Sequence, residues 1–402
     1  MLQINNDMLE LGVKPSVIRE MYEYGNRRKA EIGADKVFDF SLGNPSVPAP
    51  PEVNAAIKHL LDTEDSISVH GYTSSAGDMN VRRSVANYLN SLHGTSLGGE
   101  NIYMTCGAAA SLTTTFHAIS NAGDEVVAFA PFFPEYKVFV EKTGAKLRVV
   151  PCREKDLSID VSALEKAINA KTKAVLINSP NNPTGVVITE AEIKAIADLL
   201  RKKSKEYGHI IYFVSDEPYR ELVYDKNVKV PFVPNYYDDT IVCYSFSKSL
   251  SLPGDRIGYI AVSEKATEWK TLFAAVCGAG RSLGFVCAPS LFQKIIPICI
   301  GKTSDLSVYK QNRDIFVSAL TEYGYELAKP DGAFYLFVKA LEKDANAFCE
   351  KAKKHEILVV PSDCFFFPGY VRIAYCVDTE MIKRSLPAFK ALAEEYGVYK
   401  AR

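Results

Sequence analysis

Between residues 101 and 262 short apolar runs alternate with stretches of helical spacing, and this alternation constrains the fold more than any other feature. The runs at 125–129, 146–150, 174–178, 210–215, 241–245 and 257–262 each read as a buried strand, and a further strand ends near Tyr103. Helical spacing occupies 108–120, 136–143, 161–168 and 190–206 between them. Most of the runs are apolar rather than alternating, as a sheet covered on both faces requires. Strand–helix alternation of this kind builds a mostly parallel sheet, so the expected class is α/β with seven strands between helices. Ligands of such sheets bind beyond the carboxyl ends of the strands. The polar residues that follow each run are therefore the candidates for function.

At 402 residues the chain exceeds what one simple core holds, and a second domain is expected. Residues 1–36 have helical spacing through Val13, Val17, Ile18, Met21 and Tyr22 and precede a strand at 37–42. Pro48, Pro50 and Pro51 mark a linker, and 51–61 and 78–92 return to helical spacing. Beyond Trp269 one long helical pattern runs past Ile300 to Tyr323. Strands at 333–339 and 370–376 and helices at 345–355 and 379–396 follow. The expected division is a large domain over 46–295 and a smaller, discontinuous α+β domain from 1–45 and 296–402. A net charge of −1 without long like-charge runs gives no electrostatic footprint for nucleic acid or a membrane surface. No segment is apolar for long enough to span a bilayer. Nine cysteines without a Cys-x-x-Cys pair point to reduced thiols in the cytoplasm, and six dispersed histidines lack metal-ligand spacing, so no metal is expected.

Five stretches at strand ends carry chemistry. Residues 244–258, Tyr-Ser-Phe-Ser-Lys-Ser-Leu-Ser-Leu-Pro-Gly-Asp-Arg-Ile-Gly, set Lys248 among small hydroxyl residues with Arg256 close behind. That suits an amine that forms a Schiff base while nearby donors hold an anion; a solvated loop lysine is the plain alternative. Gly107, Ala108 and Ala109 open a helix with small side chains, which lets an anion approach the amides or simply lets a turn pack closely. Residues 178–185, Asn-Ser-Pro-Asn-Asn-Pro-Thr-Gly, form a rigid loop that presents Asn181 or Asn182. Asp216, in Ser-Asp-Glu-Pro-Tyr-Arg, ends a buried strand and needs a cation or donor; it serves equally well as a helix cap. Phe133 offers a ring for stacking or for the core, and Arg372 inside an apolar strand needs an anion, from a substrate or from the protein. Residues 278–284 superficially resemble a dinucleotide-binding loop but follow a helical run with the wrong spacing.

In order and spacing, from Gly43 to Arg372, these motifs resemble the class I aminotransferases, fold type I enzymes dependent on pyridoxal 5′-phosphate (PLP). The resemblance implies Lys248 as the Schiff-base lysine and proton carrier, and Asp216 as partner of the pyridinium nitrogen. It implies Asn182 and Tyr219 as partners of the ring oxygen, and Phe133 as the stacking ring. Ser245, Arg256, Gly107 and the amides of Ala108 and Ala109 are implied as phosphate ligands, and Arg372 as the clamp on the substrate α-carboxylate. Gly43 corresponds to the glycine beside the substrate. Tyr72 resembles the tyrosine that reaches a neighbouring subunit's phosphate, which implies a homodimer with the active site at the interface. Arg281 falls where relatives specific for dicarboxylates carry an arginine for the distal carboxylate.

Two departures stand out: Gly107-Ala-Ala lacks the hydroxyl or lysine many relatives place in the phosphate turn, and Leu250 stands where an aromatic is common. The implied reaction is a ping-pong transfer of an amino group from an L-amino acid (aspartate, glutamate or aromatic) to a 2-oxo acid such as 2-oxoglutarate. A carbon–sulfur β-lyase or a decarboxylase would use the same lysine, aspartate and arginine. A PLP-binding regulatory module is disfavoured, because only ~45 residues precede Gly43, with no basic recognition helix.

Overall fold

The computed structural model describes residues 4–13, 16–328 and 330–399. In chain order the strands are β1 (Phe38–Asp39), β2 (Ile102–Thr105), β3 (Glu125–Ala130), β4 (Lys146–Pro151), β5 (Thr172–Asn178), β6 (Tyr212–Asp216), β7 (Thr240–Ser245), β8 (Gly258–Val262), β9 (Tyr335–Lys339), β10 (Ile357–Leu358), β11 (Val360–Pro361) and β12 (Tyr370–Ala374). The chain divides into two units, one of Pro45–Ser307 with Pro330–Ala333, the other of Met1–Asn44, Val308–Lys329 and Phe334–Arg402.

The first unit is built on a seven-stranded sheet in the order β2-β8-β7-β6-β5-β3-β4. Only β8 runs against its neighbours, pairing antiparallel with both β2 and β7. The others are parallel, and all but β4 are largely buried; β4, expected as a buried strand, lies at the sheet edge and is mostly exposed, which suits Lys146 and Arg148 in its run. One face carries Met104, Tyr259, Val242, Phe213, Val175 and Val127. It is covered by helices that include Pro51–Thr63, Met79–His93, Glu190–Tyr207 and Ser290–Cys299. Their ends follow local chemistry. Asp78 caps Met79–His93 by accepting the Asn80 and Val81 amides, and a Thr189–Glu192 capping box starts Glu190–Tyr207. On the opposite face lies helix Ala108–Ile119, where Thr115 Oγ1 is 3.4 Å from Cys243 Sγ. It packs on its outer side against helix Trp269–Ser282 and is buried almost all round.

The continuous helical pattern expected beyond Trp269 is three helices: Trp269–Ser282, Ser290–Cys299 and Leu306–Glu322. The breaks fall at Gly284 and Gly301, whose φ values of +80° and +83° suit glycine, and at Pro289, which leads into the second helix. The expectation of helix over 1–36 is met by Asn6–Val13 and Val17–Ile32; residues 1–3 and 14–15 of it lie outside the described residues.

In the second unit β9 and β11 flank β12 in an antiparallel sheet, and β1 pairs parallel with β10. Phe40, Phe316 and Phe389 form its aromatic centre, with ring centroids 5.1–5.9 Å apart. Among the described residues no helix is long and apolar enough to cross a membrane.

Candidate active site

Thr105, Ala130, Asn178, Asp216 and Ser245 are the last residues of β2, β3, β5, β6 and β7, and Gly258 opens the reversed strand β8. The motifs of the large unit at 105–109, 131–136, 178–185, 216–220 and 245–258 therefore leave the sheet at one edge. Register sharpens this: Thr105, Gly258 and Ser245 are neighbours across three strands, as are Asn178, Asp216 and Cys243.

The first row builds an anion cradle. A Cβ on Gly258 would sit 3.0 Å from Gly107 Cα and 3.2 Å from Ser245 Cα, so the bare glycine lets these two turns approach. Gly107 has φ +88°, and a Cβ there would stand 2.7 Å from Arg256 Nη2. Gly107 precedes helix Ala108–Ile119 without a capping side chain, which leaves the amides of Ala108 and Ala109 and the positive helix end directed outward. Arg256 is exposed and lies in the left-handed region at φ +55°, with Nη1 donating to the Pro253 carbonyl at 2.8 Å. Such a conformation costs about 1–2 kcal/mol and points to a guanidinium placed for use. The Ser245 and Ser247 hydroxyls are 2.7 Å apart, and the Ser247 amide donates to Ser245 Oγ. Ser247, which the sequence left without a role, thus orients Ser245. If this cradle holds the phosphate of PLP, Gly107→Ala is expected to weaken PLP binding by about tenfold, because a Cβ 2.7 Å from Arg256 Nη2 displaces the guanidinium and a charge-assisted contact is worth about 1.5–3 kcal/mol. Titration of the cofactor-free protein followed by absorbance checks this.

The second row holds the acid. Tyr136 donates its hydroxyl to Asp216 Oδ2 at 2.5 Å, and Asn178 Nδ2 lies 3.3 Å from the same oxygen and 2.9 Å from the Asp216 carbonyl. Asp216 Oδ1 is buried and has no hydrogen-bond partner among the described residues. Burial, with the nearby Glu217 adding to it, pushes the Asp216 carboxyl up to about 7, against the opposing hydrogen bond from Tyr136. The adjacent acid differs. Glu217 accepts from Ser215 Oγ at 2.7 Å and pairs with the buried Arg220, so it is satisfied within the protein. Neither Tyr136 nor Asn178 stands out in the sequence as a site residue. Asn178 was open to the rule applied to Asp216, a polar residue ending a buried strand.

Asn178 also fixes the loop that follows it: Asn178 Oδ1 accepts the Asn182 amide at 2.7 Å. Asn181 Oδ1 is spent inside the loop on the Thr184 amide and hydroxyl, and Asn182 beside it is buried. Lys248 stands half-buried on the short turn Phe246–Ser249, with Nζ 6.0 Å from the centroid of the buried Tyr219 ring. Phe133 is half-buried and meets Tyr136 edge-on at 5.8 Å. Leu250 is part of the core behind the turn.

Two candidates lie in the second unit. Arg372, 2% exposed, donates from Nη2 to the Ser41 carbonyl at 2.5 Å, with its guanidinium over the rings of Tyr335 and Phe365. Ser41 is held through Asp39, which Lys29 pairs at 2.7 Å. A Cβ on Gly43 would run into the Tyr335 hydroxyl. Tyr72 and Arg281, in the first unit, are exposed. Tyr72 is 89% accessible, and Arg281 lines an open cavity of about 440 Å³ with Cys277 and Phe285.

A planar group carrying a phosphate and a protonatable ring nitrogen fits these residues on two counts. An uncapped helix end beside Arg256 can accept a dianion, and the partnerless Oδ1 of Asp216 can accept an N–H⁺. Comparison with known proteins agrees. The model of the aminotransferase class I and II family matches residues 35–389. An aspartate aminotransferase of Thermotoga maritima is 28% identical over 374 residues, covering 92% of this chain and 95% of its own. An aromatic-amino-acid aminotransferase of Thermococcus litoralis is 27% identical, covering 97% and 98%. The crystal structure of an aminotransferase from Eubacterium rectale superposes with a TM-score of 0.96 at 56% identity, covering 98% of this chain and all of the other. With fold, motif order and whole-chain similarity in agreement, this chain belongs to the class I and II aminotransferase family and is a PLP-dependent aminotransferase.

Proposed function

We propose that the protein moves the amino group of an L-amino acid, dicarboxylic or aromatic, to a 2-oxo acid such as 2-oxoglutarate by a ping-pong exchange. The observation that carries the PLP part of this reading is Asp216, with Oδ2 held by Tyr136 and Asn178 and Oδ1 buried without a partner among the described residues, and the relatives named as aminotransferases support amino-group transfer. When bound, PLP supplies an electron sink that acidifies the substrate Cα–H. Lys248 holds the cofactor through its amine and, once released, takes the Cα proton on Nζ. Asp216 Oδ1 keeps the ring nitrogen protonated. Asn182 and Tyr219 orient the ring oxygen, and Phe133 covers the ring. Ser245, Arg256, Gly107 and the amides of Ala108 and Ala109 hold the phosphate.

Arg372 clamps the α-carboxylate beside Gly43, and its aromatic faces favour a planar guanidinium over a lysine ammonium. The unit Pro45–Ser307 serves as the cofactor-binding domain. The exposed Tyr72 completes the phosphate site of a second copy of the chain in a homodimer. Nine free thiols fit a reducing cytoplasm. Relatives named for aspartate and for aromatic amino acids support both donor classes, and Arg281 is the candidate for a distal carboxylate.

A donor screen of aspartate, tyrosine and phenylalanine with 2-oxoglutarate, and of glutamate with oxaloacetate, tests the reading. The expected result is glutamate, or the matching oxo acid, formed in proportion to donor consumed. Release of pyruvate and ammonia from cystathionine, without oxo-acid formation from any donor, would overturn it in favour of a lyase.

A further inference from the structure

Lys248 and Tyr219 arrive on different turns, and two buried hydroxyls with the half-buried Glu221 carboxylate join those turns. Ser249, the residue after Lys248, places Oγ 2.9 Å from the Tyr244 phenol oxygen. That phenol donates to Glu221 Oε2 at 2.8 Å, and Glu221 lies two residues beyond Tyr219. Because the phenol proton is given to a carboxylate, the phenol oxygen accepts from Ser249, and the chain runs Ser249 to Tyr244 to Glu221. Its members cannot easily move. Tyr244 stacks on Tyr259 at 4.8 Å and meets Phe246 edge-on at 5.1 Å, with the Arg220 guanidinium 5.0 Å from its ring centroid. Arg220 is held in turn by Glu217 and by the Tyr259 hydroxyl. Ser249 is 2% exposed, and its carbonyl accepts the Ser304 amide at 2.8 Å.

We propose that Ser249, Tyr244 and Glu221 are positioning residues, a hydrogen-bonded strut that sets the lysine turn against the tyrosine loop and thereby the basicity of the Lys248 amine. This rests on the reading of Lys248 as the residue that holds PLP. The contacts of the strut are to protein groups, and it acts through the two residues it brackets. A network that only stabilised the fold would change the melting temperature and leave the chemistry of the lysine alone.

The test uses holoenzyme variants Tyr244→Phe and Ser249→Ala, each of which removes one hydroxyl. The readouts are the pH midpoint of the Lys248-linked chromophore, kcat and the melting temperature. The midpoint is expected to move by about half a unit or more, where one unit corresponds to about 1.4 kcal/mol. A misplaced amine is expected to lower kcat about tenfold. Glu221→Gln, whose amide oxygen still accepts from the phenol, is expected to retain the wild-type midpoint. A midpoint unmoved within about 0.1 unit in both hydroxyl variants overturns the proposal, whatever the melting temperature does. Should Tyr244→Phe fail to fold, Ser249→Ala decides alone. Borohydride reduction and peptide mapping separate the two levels. Label on Lys248 with an unmoved midpoint overturns the strut alone, whereas label elsewhere overturns the lysine assignment and the strut with it.

Discussion

Lys248→Ala is expected to lose transamination by about 10⁴-fold or more, because in the proposed reaction one amine both holds the cofactor and carries the Cα proton. The protein should fold as before. The turn Phe246–Ser249 is capped by Ser245 Oγ on the Ser247 amide, and Leu250 anchors it from the core, so neither contact uses the lysine side chain. The variant should also still bind PLP, because the phosphate cradle and Asp216 are untouched. Lys248→Arg separates charge from basicity. A guanidinium remains protonated at any working pH and cannot take a proton, so this variant should be as inactive as the alanine one. Single-turnover formation of oxo acid from aspartate or tyrosine measures the loss. A rate within tenfold of wild type, with the chromophore band in place, would remove Lys248 from the reaction.

The sheet was legible in the sequence because its evidence is local: each strand is an apolar run, and each crossover helix has its own period. The direction of β8 was not. An antiparallel strand paired on both sides and buried on both faces reads like its parallel neighbours, and only the ladder from Thr105 through Gly258 to Ser245 reveals it. The three helices after Trp269 merged into one pattern because apolar periodicity resumes after each glycine or proline break. Around the candidate site, residues at strand ends stood out, since a polar side chain there needs a reason. Residues whose task is to hold another side chain did not stand out. Tyr136 meets Asp216 across 80 positions, and Tyr244 on β7 meets Glu221 in the loop after β6; neither pairing leaves a spacing in the chain. The same holds for Asp39 and Ser41 behind Arg372.

Asp216→Asn is expected to act in opposite directions on the cofactor-free and cofactor-loaded protein. Burial raises the carboxyl from 3.8 to about 7. Between those values the native state keeps a proton that the unfolded chain has released, so stability falls as pH rises from about 4 to about 7 and then levels off. The cost above pH 7 is of the order of a few kcal/mol, given about 1.4 kcal/mol per unit. Asparagine cannot ionise and can still accept from Tyr136. Cofactor-free Asp216→Asn should therefore melt above cofactor-free wild type at pH 8, with the gap closing near pH 4–5. Loading reverses the order. A protonated ring nitrogen beside Oδ1 pairs the charge, so wild type gains from PLP what the variant cannot. Turnover of the variant should fall on the order of 10²–10³-fold, the size of losing one preorganised electrostatic partner. Melting curves at pH 5 and pH 8, with and without PLP, read both halves. Equal melting of the two cofactor-free proteins at both pH values would mean that Asp216 is not held as an uncompensated buried acid. Unreduced turnover would mean that it faces no ring nitrogen.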